Sequence, residues 1–294
     1  LLEENQHKKA GKHFFCEKQT QKTFVRMSVA AFPMYDFPEL RWATDSLWEF
    51  LASRLNRDNV IAPASLTRGV PLHALWTDPD LLLAQTCGYP LVTSLAGKVR
   101  LVATPCYDAP GCEGPLYRSA IVVRAADPAG SLAGLRGRRC AMNGRDSNSG
   151  MNVLRAAVAP LACGAHPFFS EIVETGAHTA SAQAVATGRA DVAAIDCVTW
   201  AHLQHLRPSA VGDLRVLEWT RATPGLPLIT SNLTGPTTCG ALREALLAVE
   251  QQAALAPVCQ ALRLHRFEAV PLSTYDSILA LEQHAQDAAY PTLR

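Results

Sequence analysis

Three times in this sequence a short apolar run passes directly into small, hydroxyl-bearing residues that open a helical pattern. The segments are "LLLAQ" into "TCGYP" from Leu81, "CAMNGR" into "DSNSG" from Cys140, and "EIVETG" into "AHTAS" from Glu171. A short, continuous apolar run reads as a strand buried on both faces. A chain that alternates such strands with helices is confined to layered α/β architectures, here expected as a mostly parallel sheet with helices on both faces.

The rest of the chain keeps to the alternation. Ser28 to Phe32 reads as a strand, followed by a turn at Pro33 to Asp36 and a helix with Leu47, Trp48, Leu51 and Leu55 on one face. "KVRLVATP", "YRSAIVVRA", "ADVAAID", "LRVLEWT" and "GLPLITS" read as strands, the last two separated by a turn at "RATPG". Gly97, Gly137 and Gly188 are expected to stop helices, and Ser131 to cap the short one in "SLAGLRG". Towards the C-terminus, Thr237 or Thr238 is expected to cap one helix, and Ser273 with Asp276 to open another as a capping box.

"GRDSNSGMNVLRAAVAP", Gly144 to Pro160, shows the strand-end motif most fully. Met151, Leu154, Ala157 and Val158 recur at helical steps, behind Asp146, Ser147, Asn148 and Ser149, each able to serve as N-cap. A helix start leaves backbone N–H groups unpaired at the positive end of its dipole, so it either caps itself or holds an anion. Read alone, the segment is most simply a self-capped helix. Its recurrence at two other strand ends favours an anion site, because ligands of open α/β sheets bind outside the carboxyl ends of the strands. Thr86, Ser147, Ser149, Thr179 and Ser181 would add hydroxyls, while Gly88, Gly150 and Gly176 would let the backbone approach a ligand. About four or five charge-assisted hydrogen bonds, netting ~1.5–3 kcal/mol each, cover the roughly 8 kcal/mol of micromolar binding without a Lys or Arg.

A net charge of +1 with no basic stripe argues against nucleic-acid or membrane-surface binding, so any anion recognition must be local. No apolar run approaches the ~18 residues that span a bilayer. Residues 1–26 are polar and show no signal-peptide pattern; they read equally as a tag, an upstream extension or a processed end, and are expected to be poorly ordered. The nine cysteines include no CxxC pair, which favours a reducing compartment and speaks against zinc; Cys106 and Cys112 lie close enough to bridge in an exported protein. His73, His166, His202, His205 and His265 show no metal-ligand spacing, and neither a GxSxG elbow nor a GxxxxGK[ST] loop is present. No metal, cofactor or catalytic residue is therefore expected.

On these residues the sequence resembles the phosphate/phosphonate-binding family of ABC-transporter solute receptors. "YRSAIVVR", "LRGRRCAMNGRDSNSG", "FFSEIVETGAHTASAQAVATGRADVAAIDCVTW" and "PGLPLITS" have its character and order. The resemblance implies a two-lobed type II periplasmic-binding-protein fold with two crossing hinge strands, with lobe one at 27–120 plus 222–294 and lobe two at 121–221. It implies a non-catalytic receptor for a small phosphorus oxyanion, periplasmic, with an ABC permease or a sensor kinase as partner. By similarity, Ser147, Asn148, Ser149, His178 and Thr179 hold the anion from one lobe, and Thr86, Cys87, Gly88 and Tyr89 face them from the other. Tyr35 and Tyr117 are candidate pocket walls, and Asp196 is placed to meet an amine on the ligand or to orient His178. The Cys in "QTCGYP" departs from the hydroxyl or amide donor that the family leads one to expect. The alternatives are a cytosolic enzyme on this fold, like the dehydratase-like enzymes of the futalosine route, or a soluble sensor.

Overall fold

The computed structural model describes residues 28–162 and 166–294; the segment 1–26, and with it Cys16, lies outside the described residues, as does Cys163. In chain order, β1 (Val29–Ala31), β2 (Leu81–Gln85) and β3 (Val99–Tyr107) lead to the two-residue β4 (Leu116–Tyr117). β5 (Ser119–Arg124), β6 (Arg139–Met142), β7 (Glu171–Glu174), β8 (Val192–Asp196) and β9 (Leu214–Trp219) follow. Last come β10 (Thr223–Pro224), β11 (Leu228–Ser231) and β12 (Leu264–Glu268). They form two five-stranded sheets, β1-β2-β11-β3-β12 and β7-β6-β8-β5-β9, joined by the antiparallel pair β4/β10. The crossing strand β10 falls within "RATPG", where the local residues suggested only a turn; pairing of Thr223 with Tyr117 makes it a strand.

The sheets are mixed rather than mostly parallel. β1/β2, β6/β7 and β6/β8 are parallel, whereas β11 runs antiparallel to β2 and β3, and β5 antiparallel to β8 and β9. The reason is the crossing. β5 and β11 enter their sheets straight from β4 and β10 with no helix to carry the chain back, so they run away from the crossing while their neighbours run towards it.

The helices are α1 (Arg41–Arg57), α2 (Leu72–Trp76), α3 (Gly88–Val92), α4 (Val153–Val158), α5 (His178–Ala186), α6 (Cys197–Leu206), α7 (Pro208–Val211), α8 (Pro236–Leu247), α9 (Ala256–Leu262) and α10 (Asp276–Asp287). α1 buries the predicted Leu47, Trp48, Leu51 and Leu55, and β2 and β8 are buried along their whole length. Three cap assignments change. The "SLAGLRG" turn is a 3-10 helix uncapped by the Ser131 side chain, because Glu218 Oε1 takes the Leu132 N–H at 2.7 Å. α8 begins at Pro236 behind Gly235, one or two residues before the threonines, since proline's fixed φ suits the first helical position. α10 follows a 3-10 turn, Leu272–Tyr275, that leaves no capping role for Ser273. The "NSGMN" segment, Asn148–Asn152, winds as a π-turn before α4.

The C-terminal helix joins the two halves. Tyr275 and Ile278 pack with Ala31, Leu81 and Ala84 of the first sheet, whereas Ala285, Tyr290 and Leu293 pack with Phe168, Phe169 and Leu154 around the second. The end of the chain, expected with lobe one, thus buries its apolar side chains in the core of the other half. Among the described residues no helix is long and apolar enough to cross a membrane.

Candidate ligand-binding site

A cleft of about 340 Å³ lies where the loops at the ends of β1, β2, β6, β7 and β8 meet. That volume is at the small end for ligand pockets and suits a small solute. The first half contributes mostly apolar walls, including Pro33, Met34, Phe37, Trp76 and Pro90; the second contributes Asn143, Ser147, Ser149, His178, Thr179 and Asp196.

The polar wall is built from two helix starts. Ser147 caps its own π-turn, its Oγ accepting the Gly150 N–H at 2.9 Å and lying 3.5 Å from Ser149 Oγ. Ser149 Oγ in turn meets His178 Nε2 at 2.8 Å. His178 is the first residue of α5, whose N-cap, Ala177, has no side-chain oxygen to offer; Ala177, His178 and Thr179 all line the cleft. The start of α5 therefore presents backbone donors and a positive dipole end to the cavity with no internal cap. Burial pushes the His178 imidazole down to about 4, so it is neutral near pH 7, and Nδ1, close to the Ala194 backbone, lacks a hydrogen bond of good geometry.

The next helix start is arranged in the opposite way. Asp196 Oδ1 accepts the N–H groups of Val198 at 2.8 Å and Thr199 at 2.9 Å, capping α6, and Oδ2 accepts the Tyr35 hydroxyl at 2.9 Å. Burial raises its carboxyl to about 6 against the pull of these hydrogen bonds, and burial pushes the Tyr35 phenol well above its ordinary range. Tyr35 and Asp196 both line the cleft, so their hydrogen bond crosses it. The hydrogen bonds of Asp196 go to Tyr35, Val198 and Thr199, and the side-chain partner of His178 is Ser149, so the orienting role considered for Asp196 falls to Ser149.

Several expected ligand residues are turned elsewhere. Asn148 is fully buried, its Nδ2 donating to Tyr117 Oη at 3.2 Å and Thr223 Oγ1 at 2.9 Å, so it anchors the π-turn to the crossing strands. Tyr117 therefore lies behind the cleft as a packing residue with Val198 and Leu226. Tyr89 donates to Glu282 Oε1 at 2.8 Å on α10, away from the cavity. Gly88 makes room for α10 and not for a ligand: a Cβ there would meet Ile278 Cδ1 at 2.5 Å. Gly150 likewise makes room for the Asn143 amide, and Ser181 Oγ is taken by Thr175 at 2.7 Å; the space over Gly176, φ +84°, is open. Thr86 donates its N–H to Pro227 O, and its buried Oγ1 has no partner among the described residues. Cys87 reaches the cleft, but its Sγ accepts the Asn148 N–H at 3.3 Å, and burial raises its thiol above the ordinary range.

Cleft residues that sequence reasoning did not name as ligand residues include Asn143, Asp146, Trp76 and Arg207. The first two sit in the quoted strand-end segment, so position alone was a usable signal. Trp76 comes from a separate short helix, held by its Nε1 donating to Gln85 O at 3.0 Å, and nothing local marks it. Arg207 is the one cationic side chain lining the cleft among the described residues; it is engaged by Glu39 at 2.8 and 3.0 Å. An anion here would be held by neutral donors and a helix dipole.

Residues 29–275 match the family model described as ABC transporter, phosphonate, periplasmic substrate-binding protein. No curated protein matches the chain. Among solved structures it is similar to a binding protein component of an ABC phosphonate transporter from Pseudomonas aeruginosa, at 19% identity over 89% of this chain and 87% of that one, TM-score 0.73. It is also similar to PhnD1 of Prochlorococcus marinus in complex with methylphosphonate (15% identity, 88% and 98% covered, TM-score 0.69). A third is the alkanesulfonate-binding protein SsuA of Xanthomonas axonopodis pv. citri bound to MOPS (17%, 91% and 94%, TM-score 0.57). At these identities the likeness shows the fold, the type II periplasmic-binding-protein fold.

Proposed function

Since the chain belongs to the periplasmic substrate-binding family of phosphonate ABC transporters, we propose that its cleft takes a small phosphorus oxyanion, phosphonate or phosphate-like, on the uncapped start of α5. The protein is a transport substrate-binding protein and not an enzyme. The observation that carries the ligand reading is local: an N-terminus with no side-chain cap opens into the cavity beside Ser149, His178 and Thr179. Ser147 and Ser149 supply hydroxyls, and His178, neutral and bonded to Ser149, sets the direction of the Ser149 hydroxyl. Tyr35 and Asp196 act as a closing contact between the halves. In this reading 27–120 with 222–294 and 121–221 are the lobes that hinge at β4/β10, with the end of α10 spanning both. Membership in the family supports a periplasmic location for this chain and docking of its closed form on an ABC permease.

Calorimetric titration with phosphate, phosphite, methylphosphonate and 2-aminoethylphosphonate tests the class, with alkanesulfonates as the control. At least one phosphorus compound should bind at micromolar concentration or better; silence across the panel, or binding of sulfonates alone, overturns the reading. Ser149→Ala should weaken binding ~10-fold or more, in line with losing one hydrogen bond to a charged group, and should cost only about 1 kcal/mol of stability, that of the buried Ser149–His178 hydrogen bond, leaving the protein folded.

A further inference from the structure

We propose that Cys112 and Cys197 form a reversible disulfide that ties the crossing loop to the first turn of α6. The two Sγ atoms lie 3.4 Å apart although their residues are 85 positions apart in sequence. Cys112 is half-buried in the loop between β3 and β4, and Cys197 is fully buried immediately after Asp196. The loop reaches this depth because the residue before Cys112 is Gly111, with φ +100°. A Cβ at Gly111 would lie 2.9 Å from the Trp219 ring and 3.0 Å from Cys197 Cβ, so no other residue lets the loop lie so close. Cys106, the nearer cysteine in sequence, lies on β3 opposite Arg266, and both it and Cys112 are free thiols. The spacing in "PCYDAPGC" allowed a Cys106–Cys112 bridge in an exported protein but favoured two reduced thiols; the fold brings Cys197 into contact with Cys112 instead.

The step needs a shift of the two sulfurs from 3.4 Å to about 2.05 Å and a disulfide, R–S–S–R, as oxidant. The Cys112 thiolate attacks one sulfur of R–S–S–R and expels the first R–S⁻, leaving a mixed disulfide. Cys197 gives up its proton, and its sulfur attacks Cys112 Sγ and expels the second R–S⁻. The two cysteines lose two electrons and two protons, and the reagent gains both as two R–SH. The product joins a loop anchored on the first sheet to the residue next to the Asp196–Tyr35 contact, so it would restrain the hinge.

Incubation of the full chain with oxidised glutathione, followed by thiol counting and a non-reducing peptide map, tests the pairing. The expected result is loss of two thiols and one cross-linked peptide joining the Cys112 and Cys197 segments. The bond should raise the unfolding temperature by ~5 °C or more, and dithiothreitol should reverse the rise. Cys112→Ser and Cys197→Ser should each abolish the cross-link, and Cys106→Ser should leave it intact; the loop variant Cys112→Ser suffices if Cys197→Ser does not fold. A Cys106–Cys112 cross-link, a mixed disulfide on Cys112 that never resolves, or no loss of thiols overturns the proposal.

Discussion

The starts of α5 and α6 follow β7 and β8, strands on either side of β6 in one sheet, and both face the same cleft, yet they do opposite things with their backbone donors. At α6 the chain supplies its own anion: Asp196 takes the Val198 and Thr199 N–H groups and still accepts a hydroxyl from the other half of the molecule. At α5 the equivalent position is Ala177, extended as an N-cap should be but without an oxygen. The difference teaches that a strand-to-helix junction is not a ligand site by virtue of its dipole. It becomes a candidate for one where the sequence withholds the internal cap and the fold leaves the end open to the cavity, as at α5.

That comparison can be broken in four places. The largest effect is expected from Asp196→Ala, which strands two helix N–H groups and the Tyr35 hydroxyl in a buried setting and should cost about 3 kcal/mol of stability in urea unfolding. A loss below ~1 kcal/mol would remove the claim that α6 is internally satisfied. Tyr35→Phe leaves one buried carboxylate oxygen short of a donor and should cost about 2 kcal/mol; an unchanged unfolding midpoint would mean the contact across the cleft carries no energy. Ala177→Asp should convert α5 into a second α6, raising stability by about 1 kcal/mol while weakening the phosphorus ligand ~10-fold. Retained affinity in a properly folded variant would show that the anion does not rest on this helix.

The smallest effect is in pH dependence, and the two starts act with opposite sign. The folded His178 imidazole is lowered to about 4, so the unfolded chain binds its proton first and acidification from pH 7 to 5 costs stability. The folded Asp196 carboxyl is raised to about 6, so the folded chain binds that proton first and the same acidification adds stability. Each contribution is on the order of 1 kcal/mol, with His178 discounted for its partial exposure. His178→Asn should flatten the acid-side loss in thermal unfolding, and Asp196→Asn should steepen it; equal slopes in both variants would contradict the assignment.

Much of the scaffold was legible in the residues. Leu81–Gln85 and Val192–Asp196 form the strands that their apolar runs predict, and Gly137 and Gly188 follow their helices with φ of +75° and +76°, whereas α3 already ends at Val92, ahead of the expected stop at Gly97. The three strand-end helix starts exist as well. Less legible was which small polar residues remain available. Asn148 and Ser149 are neighbours in one motif, yet one is spent on Thr223, 75 residues away, and the other faces the cleft. Tyr89 is drawn off by Glu282, 193 residues away, and α3 then offers the cleft Cys87 and Pro90, the latter with no N–H at all.

By itself, then, the sequence determined most of the elements, their α/β alternation, and the strand ends whose loops line the cleft. Those are local properties, written in hydrophobic period, turn residues and glycine conformations within a few positions of each other. Only the tertiary structure decided that "RATPG" crosses between the sheets, that Gly88 serves packing against Ile278, and that α6 is closed while α5 is open. Each depends on a partner that folding brings in: Tyr117 for Thr223, Ile278 for Gly88, and the cavity wall itself for Ala177. A donor's availability is set by what packs beside it, and no spacing along the chain records that.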